Sequence, residues 1–137
     1  MERRGGLGPP LGDGEKKMTT YYEAFQEAKR AATLALVNAG VDPMTVVSDT
    51  GQSWVVNEGL CGFAWVSIPV DARTKHGKAI KSLGAGRSSE GGMRFWSSDL
   101  VPDYRGQSYE RQLAGCKAAA EVFMSYGIQA HAGGRLD

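Results

Sequence analysis

Apolar positions along the chain fall into a few periodic segments separated by glycine, proline and charge. In "TTYYEAFQEAKRAATLALVNAG" (19–40), Tyr21, Phe25, Ala28, Ala32, Leu36 and Ala39 recur at helical spacing, Thr20 and Glu23 stand at capping-box distance, and Gly40 follows as a stop. A helix of about five turns is predicted, and Asp42-Pro43 keeps it from continuing. "SWVVN" (53–57) and "LCGFAWVSIPV" (60–70) lie on either side of Asn57-Glu58-Gly59 and predict a hairpin. In the second run Cys61, Phe63, Trp65 and Ser67 alternate with Gly62, Ala64, Val66 and Ile68, so both faces are apolar. That pattern predicts a central strand covered on both sides, one cover being the chain's own helices and the other either the first helix or a second subunit.

A basic helix is expected over "ARTKHGKAIKSL" (72–83), capped by Asp71, with Ile80 and Leu83 inward and Gly84 as its stop. "GAGRSSEGG" (84–92) reads as a mobile connector: it lacks the third glycine of a dinucleotide fingerprint and the Gly-Lys-Ser/Thr of a phosphate loop. "MRFWSS" (93–98) alternates as a strand, placing Phe95 and Trp96 on opposite faces, one in the core and the other available to stack. A loop around Pro102 leads to Ser108, the cap of a last helix whose stripe is Tyr109, Leu113, Cys116, Ala120 and Phe123, with Gly127 as its end. Ile128 to Ala132 then predicts a short strand. Helix, hairpin, helix, strand, helix, strand argues an α+β fold: a small antiparallel or mixed sheet with three helices packed on it, in an oligomeric protein.

Composition bounds this picture. A chain of 137 residues is the length of one domain. Met1–Lys17, rich in Gly, Pro and charge, predicts a disordered leader before a domain spanning 18–137; whether the leader is made natively stays open. Cys61 and Cys116 sit in apolar patterns and read as buried hydrophobes rather than a disulfide or metal ligands. No run of about 18 apolar residues and no secretory pattern is present, which places the protein in the cytoplasm and off the membrane. Net charge is +1, which argues against binding nucleic acid as a bulk polyanion, yet Arg73, Lys75, Lys78, Lys81 and Arg87 cluster locally, as a solvated helix face or an anion site.

Candidate chemistry concentrates late in the chain. If the last strand joins the sheet, Arg135 and Asp137 are held at a sheet end, and Gly133-Gly134 lets the backbone approach a ligand. Arg135 offers a planar fork of donors for phosphate or carboxylate, unless it closes an Arg-carboxylate clasp on the terminus. Arg87, Arg94 and Arg105 are further phosphate candidates, Phe95, Trp96 and Tyr109 candidate base-stacking rings, and Gln107, Ser108 and Asp137 candidate partners for ribose hydroxyls. His76, His131 and the cysteines stand in no catalytic or metal-ligand spacing, so neither catalytic residues nor a metal or cofactor are expected.

"GLCGFAWVSI" in the middle, a late "ERQLAGCKAAAEVFMSYGI" helix and a terminal "RLD" together resemble a family of small phage proteins with a GFAWV strand and an Arg-Leu-Asp ending, the first-described Thoeris anti-defence proteins. The resemblance covers roughly Met18 to Asp137. It implies an oligomeric sponge in the host cytoplasm that binds cyclic nucleotide immune signals, cyclic ADP-ribose isomers among them, and holds them without cleavage. It also implies that Arg135 matches a ligand arginine, and that one of Phe95, Trp96 or Tyr109 matches the base-stacking position. The Gly/Pro-rich leader and the lack of an asparagine after the middle strand depart from the pattern. The alternative is a phage protein that inhibits a host factor through protein or nucleic-acid contacts of the basic helix.

Overall fold

A computed structural model describes residues 13–40, 44–47, 49–56, 60–89 and 91–137. Helix α1 (Asp13–Asn38) begins seven residues before the predicted cap, so Thr20 lies inside it. Glu15, Lys16, Lys17 and Met18 are good helix formers, and the two threonines that follow them, Thr19 and Thr20, do not stop a helix. The remainder of the predicted leader, residues 1–12, lies outside the described residues. The predicted stripe faces inward, with Tyr21, Ala24, Phe25, Ala28, Ala32 and Leu36 buried.

Two short strands follow, β1 (Met44–Val47) and β2 (Ser53–Val56), paired antiparallel with Met44 opposite Val56. This corrects the predicted hairpin of 53–57 with 60–70. The turn between β1 and β2 contains Gly51 at φ +86°, a left-handed conformation that glycine takes without strain. Strand β3 (Gly62–Ile68) meanwhile has both its edges taken by later strands. The expected turn at 57–59 lies outside the described residues.

The main sheet is antiparallel throughout, in the order β4-β5-β3-β6, with β4 at Gly86–Arg87, β5 at Met93–Trp96 and β6 at His131–Leu136. Helix α2 (Lys75–Ser82) is capped by Thr74, whose hydroxyl accepts the Gly77 N–H at 3.0 Å. The predicted cap, Asp71, instead folds onto Arg73, accepting its backbone N–H at 2.8 Å and its guanidinium at 2.9 Å, which holds the Asp71 carboxyl down to about 2. The strand predicted over 93–98 ends at Trp96, and a four-residue helix α3 (Ser97–Leu100) takes its last two residues and the start of the predicted loop. Helix α4 (Tyr109–Ser125) starts at the predicted Ser108 cap, and Gly127 follows it at φ +80°.

Helices α1 and α4 cover one face of the sheet. Their backbones approach closely because small residues line the seam: a Cβ on Gly115 would stand 3.1 Å from the Ala32 carbonyl. Arg111 ties the pair by donating to the Leu36 and Val37 carbonyls at 3.0 and 3.2 Å, the carbonyls a helix end leaves without intrahelical partners. At the centre Phe95 of β5 is sandwiched between Phe25 of α1, 4.9 Å away, and Phe123 of α4, 5.8 Å away. The chain is therefore an α+β fold: a small four-stranded antiparallel sheet with about four helices.

Candidate functional site

Strand β3 sorts its side chains sharply. Gly62, Ala64, Val66 and Ile68 are buried under the helices, while Phe63 is 42% exposed and Trp65 and Ser67 are half-buried. Within one subunit the helical cover lies on one side only, so the first helix does not cover the second face; of the two expected covers this leaves the second subunit. The strand register then defines the open face. Trp65 pairs with Trp96 on β5 and Gly133 on β6; Ser67 pairs with Arg94 and His131; Phe63 pairs with Arg135.

These neighbours form one cluster. The indoles of Trp65 and Trp96 meet edge to face at 5.5 Å, and the Arg94 guanidinium lies 4.1 Å from the Trp65 ring centre and 5.3 Å from that of Trp96. Such stacked cations on aromatic faces are held by the ring quadrupole. The Arg135 guanidinium lies 5.8 Å from the Phe63 ring.

Gly133-Gly134, expected to let the backbone approach a ligand, proves to be strand interior, since β6 begins at His131 and not at Ile128. Each glycine makes room for one ring. A Cβ on Gly133 would stand 2.8 Å from the Trp65 indole nitrogen, and one on Gly134, facing the other way, would stand 2.6 Å from the Phe63 carbonyl and 2.8 Å from Tyr109. Tyr109 also fills the space over Gly62.

Beside the cluster lies a cleft of about 440 Å³, bounded by Phe63, Trp96, Ser98, Gln107, Gln112 and Arg135. It forms where β5 turns into α3 and leaves the early part of β3 facing the 101–107 loop. That loop is fastened to β3: the Gly62 N–H donates to the Gln107 carbonyl at 3.0 Å, the buried Gln112 amide donates to the Gly62 carbonyl at 2.9 Å, and the Tyr109 N–H donates to the Leu60 carbonyl at 2.9 Å. The Ser108 N–H donates to the Tyr104 hydroxyl at 3.2 Å. On the opposite wall the Asp99 carboxylate accepts the Trp96 N–H at 2.8 Å, fixing the turn from which the Trp96 ring projects.

Arg135, Trp96 and Gln107 of the predicted site residues are brought together here. Arg94 stands on the same face but outside the cleft, against Trp65. The others are elsewhere. Phe95 is the fully buried partner of Phe25 and Phe123, because the alternation that exposes Trp96 must bury its neighbour. Ser108 is buried with its hydroxyl accepting the Arg111 N–H at 3.3 Å, and Tyr109 lies under the sheet against Gly62 and Gly134. Arg87 is exposed on the edge strand β4, and Asp137 anchors the terminus through its N–H, which donates to the Cys61 carbonyl at 3.0 Å. Among the described residues Arg135 is in no ion pair. Sequence reasoning missed Phe63 and Gln112. Phe63 was legible in the alternation of β3, had the aromatic side been read as open.

The cysteines divide likewise. Cys61 is exposed, contrary to expectation, because it precedes β3 at the open end of the sheet. Cys116 is buried, and that burial pushes its thiol up to about 12 against a smaller downward pull from Ser97. The Tyr21 hydroxyl lies 2.6 Å from His76 Nδ1, joining α1 to α2, and burial raises the Tyr21 pKa. Among the described residues no group of histidine, cysteine and carboxylate could hold a metal ion, and no helix is long and apolar enough to cross a membrane. No family model, curated protein or solved structure matches the chain.

Proposed function

We propose that the protein binds a cyclic nucleotide signal in the cleft and holds it intact, the sponge activity that the phage anti-defence resemblance implies. The observation that carries this reading is the convergence of one guanidinium, Arg135, with two exposed rings, Phe63 and Trp96, and the amide of Gln107 around a single cleft. A nucleotide asks for these groups: a fork of donors for phosphate, a flat apolar face for the base, and neutral polar groups for ribose. The cleft's volume lies within the range of small-molecule sites.

Magnitudes also bear on assembly. A charge-assisted hydrogen bond contributes about 1.5–3 kcal/mol and a stacked base about 1–3 kcal/mol. Two such bonds and one stack give about 4–9 kcal/mol, from which the cost of immobilising the ligand is subtracted. Micromolar binding needs about 8.2 kcal/mol. One subunit therefore falls short of a tight sponge, and a second subunit closing the cleft supplies the remainder; the proposal includes a homo-oligomer in the host cytoplasm.

The test is a thermal-shift panel of cyclic ADP-ribose isomers and cyclic di- and trinucleotides. A ligand at 100 times its dissociation constant adds about 2.7 kcal/mol of stability. A clear rise in melting temperature with one member, and recovery of that ligand intact after boiling, is the expected result. No shift across the panel, or recovery of a cleaved product, overturns it. A second reading, in which α2 docks on a host factor, rests on the exposure of Lys75, Lys78 and Lys81 along that helix. It predicts capture of a host protein that is lost when the three lysines are changed to glutamate.

A further inference from the structure

The open face of the sheet continues past the cleft. Trp65, Ser67, Arg94, His131 and Gly133 lie on it in register, and none of them borders the cleft. Two features make this stretch a surface rather than a patch of stray side chains. Glycines flank its central row and are put to different use: the Trp65 indole lies over Gly133, whereas a Cβ on Gly86, beside Arg94, would meet nothing within 4 Å, so the row is open at its β4 end. It also carries guanidiniums: Arg94 and Arg135 stand on the face, and Asp137 comes one row beyond Arg135.

We propose that this face is a platform for single-stranded nucleic acid. Bases stack on Phe63, on Trp96, and on the plane of the Arg94 guanidinium where it lies on Trp65, while Arg135 meets a phosphate. A four-stranded antiparallel sheet with helices behind it and aromatics in front presents flat rings to unstacked bases, and guanidinium planes serve as well as rings. Duplex offers no such bases. Alternate residues on one strand are about 6.6 Å apart, nearly twice the 3.4 Å step of stacked bases, so Phe63 and Trp65 match bases splayed apart rather than bases in a helix. Binding of this kind is mostly stacking, which reconciles it with a net charge of +1. It does not require the cyclic-nucleotide reading, because Trp65 and Arg94 lie outside the cleft.

The test is fluorescence anisotropy of the full chain with short labelled RNA and DNA single strands of mixed sequence, and with the matching duplex. The expected result is saturable binding of a single strand, no comparable binding of duplex, and a shallow salt dependence: about −0.7 in log K per log salt for the one phosphate that Arg135 neutralises. Trp65→Ala and Arg94→Ala are each expected to weaken binding about tenfold, the scale of one lost stacked base, without abolishing the thermal shift by a cyclic nucleotide. Should Trp65→Ala not fold, Arg94→Ala carries the test alone. Absence of single-strand binding, or binding unchanged in the variants, overturns the proposal. So does an oligomer that Trp65→Ala dissociates while no strand binds, for that assigns the face to a second copy of the chain.

Discussion

The two faces of β3 are built from the same strand and similar residue types, yet they are put to different use. On one side Ala64, Val66 and Ile68 lie beneath α4 in the core that holds the Phe25–Phe95–Phe123 stack and are sealed from water. On the other, Phe63 and Trp65 face outward beside Trp96, Arg94 and Arg135. The covered face contributes hydrophobic stabilisation at about 25 cal/mol for each Å² of apolar surface removed from water. The open face forgoes that gain for three aromatic rings, and rings kept at a surface together with guanidiniums are the composition of a binding site. Apolar alternation marks which residues share a face; it does not say whether the face is covered.

The cysteines give the sharpest contrast. At mildly alkaline pH a thiol reagent is expected to modify Cys61 in the native protein, while Cys116 reacts only through unfolding, at a rate lower by about a thousandfold or more given typical domain stabilities. Mass spectrometry of the labelled chain at successive times checks this; equal rates would show that the seam between α4 and the sheet opens readily. A pH dependence follows from the same burial. The folded Cys116 thiol titrates near 12 and its ordinary value is 9.0, so the native state keeps its proton longer than the unfolded chain. The stabilisation is complete below about 9 and is lost as pH rises towards about 12. Cys116→Ala should flatten that alkaline fall.

Adjacent residues Phe95 and Trp96 test the comparison next. Phe95 is fully buried and Trp96 is 41% exposed. Phe95→Ala is expected to cost about 3–5 kcal/mol, the range for emptying a core aromatic site. Trp96→Ala should cost about 1 kcal/mol or less in the free protein, as for a surface ring with one edge-to-face partner, but should weaken ligand binding at least tenfold. Denaturant melts of both variants decide it. Comparable losses in the two would mean that the open face is structural.

Much of this division was legible beforehand. Helical spacing located the buried stripes of α1 and α4, Ser108 announced its cap, and strict alternation placed Phe95 and Trp96 on opposite sides. What failed was long-range. Whether 53–56 pairs with β1 or β3 depends on which strand edges later segments claim, and sequence distance carries no record of that. Gly133-Gly134 reads as a place for the backbone to approach a ligand, whereas the pair serves to admit Trp65 on one side and Tyr109 on the other. Tyr109, Ser108 and Phe95 have the right chemistry for a nucleotide site, but packing commits each of them elsewhere. Arg135 and Trp96, distant in sequence, are brought to one cleft by the antiparallel pairing of β3 with both β5 and β6.

The glycine pair makes a finer test, because one residue faces each way. A Cβ on Gly134 meets the Phe63 backbone carbonyl at 2.6 Å, which moves only with the strand; on Gly133 it meets the Trp65 side chain at 2.8 Å, which has an open face to move into. Gly134→Ala is therefore expected to cost about 1–3 kcal/mol, as overpacking does, and Gly133→Ala distinctly less. Near-ultraviolet circular dichroism should show the reverse order, with the tryptophan signal perturbed more by Gly133→Ala as Trp65 is displaced. If Gly133→Ala is the more destabilising of the two, Trp65 is clamped by something on its outer side.

Arg135→Ala should have the smallest effect on the free protein and a large one on binding. Among the described residues its guanidinium is in no ion pair; its neighbour is the Phe63 ring at 5.8 Å, and the terminus is held by the Asp137 N–H on the Cys61 carbonyl, a bond the substitution leaves in place. Surface changes of this kind usually stay within about 0.5 kcal/mol. The cyclic-nucleotide thermal shift, in contrast, should disappear, and Arg135→Lys should restore only part of it, because an ammonium keeps the charge and loses the planar fork. If the free protein instead loses several degrees while the ligand shift persists, Arg135 is a fastening of the last strand. The cleft would then have to find its anion partner elsewhere on the open face, where Arg94 is the nearest guanidinium by strand register.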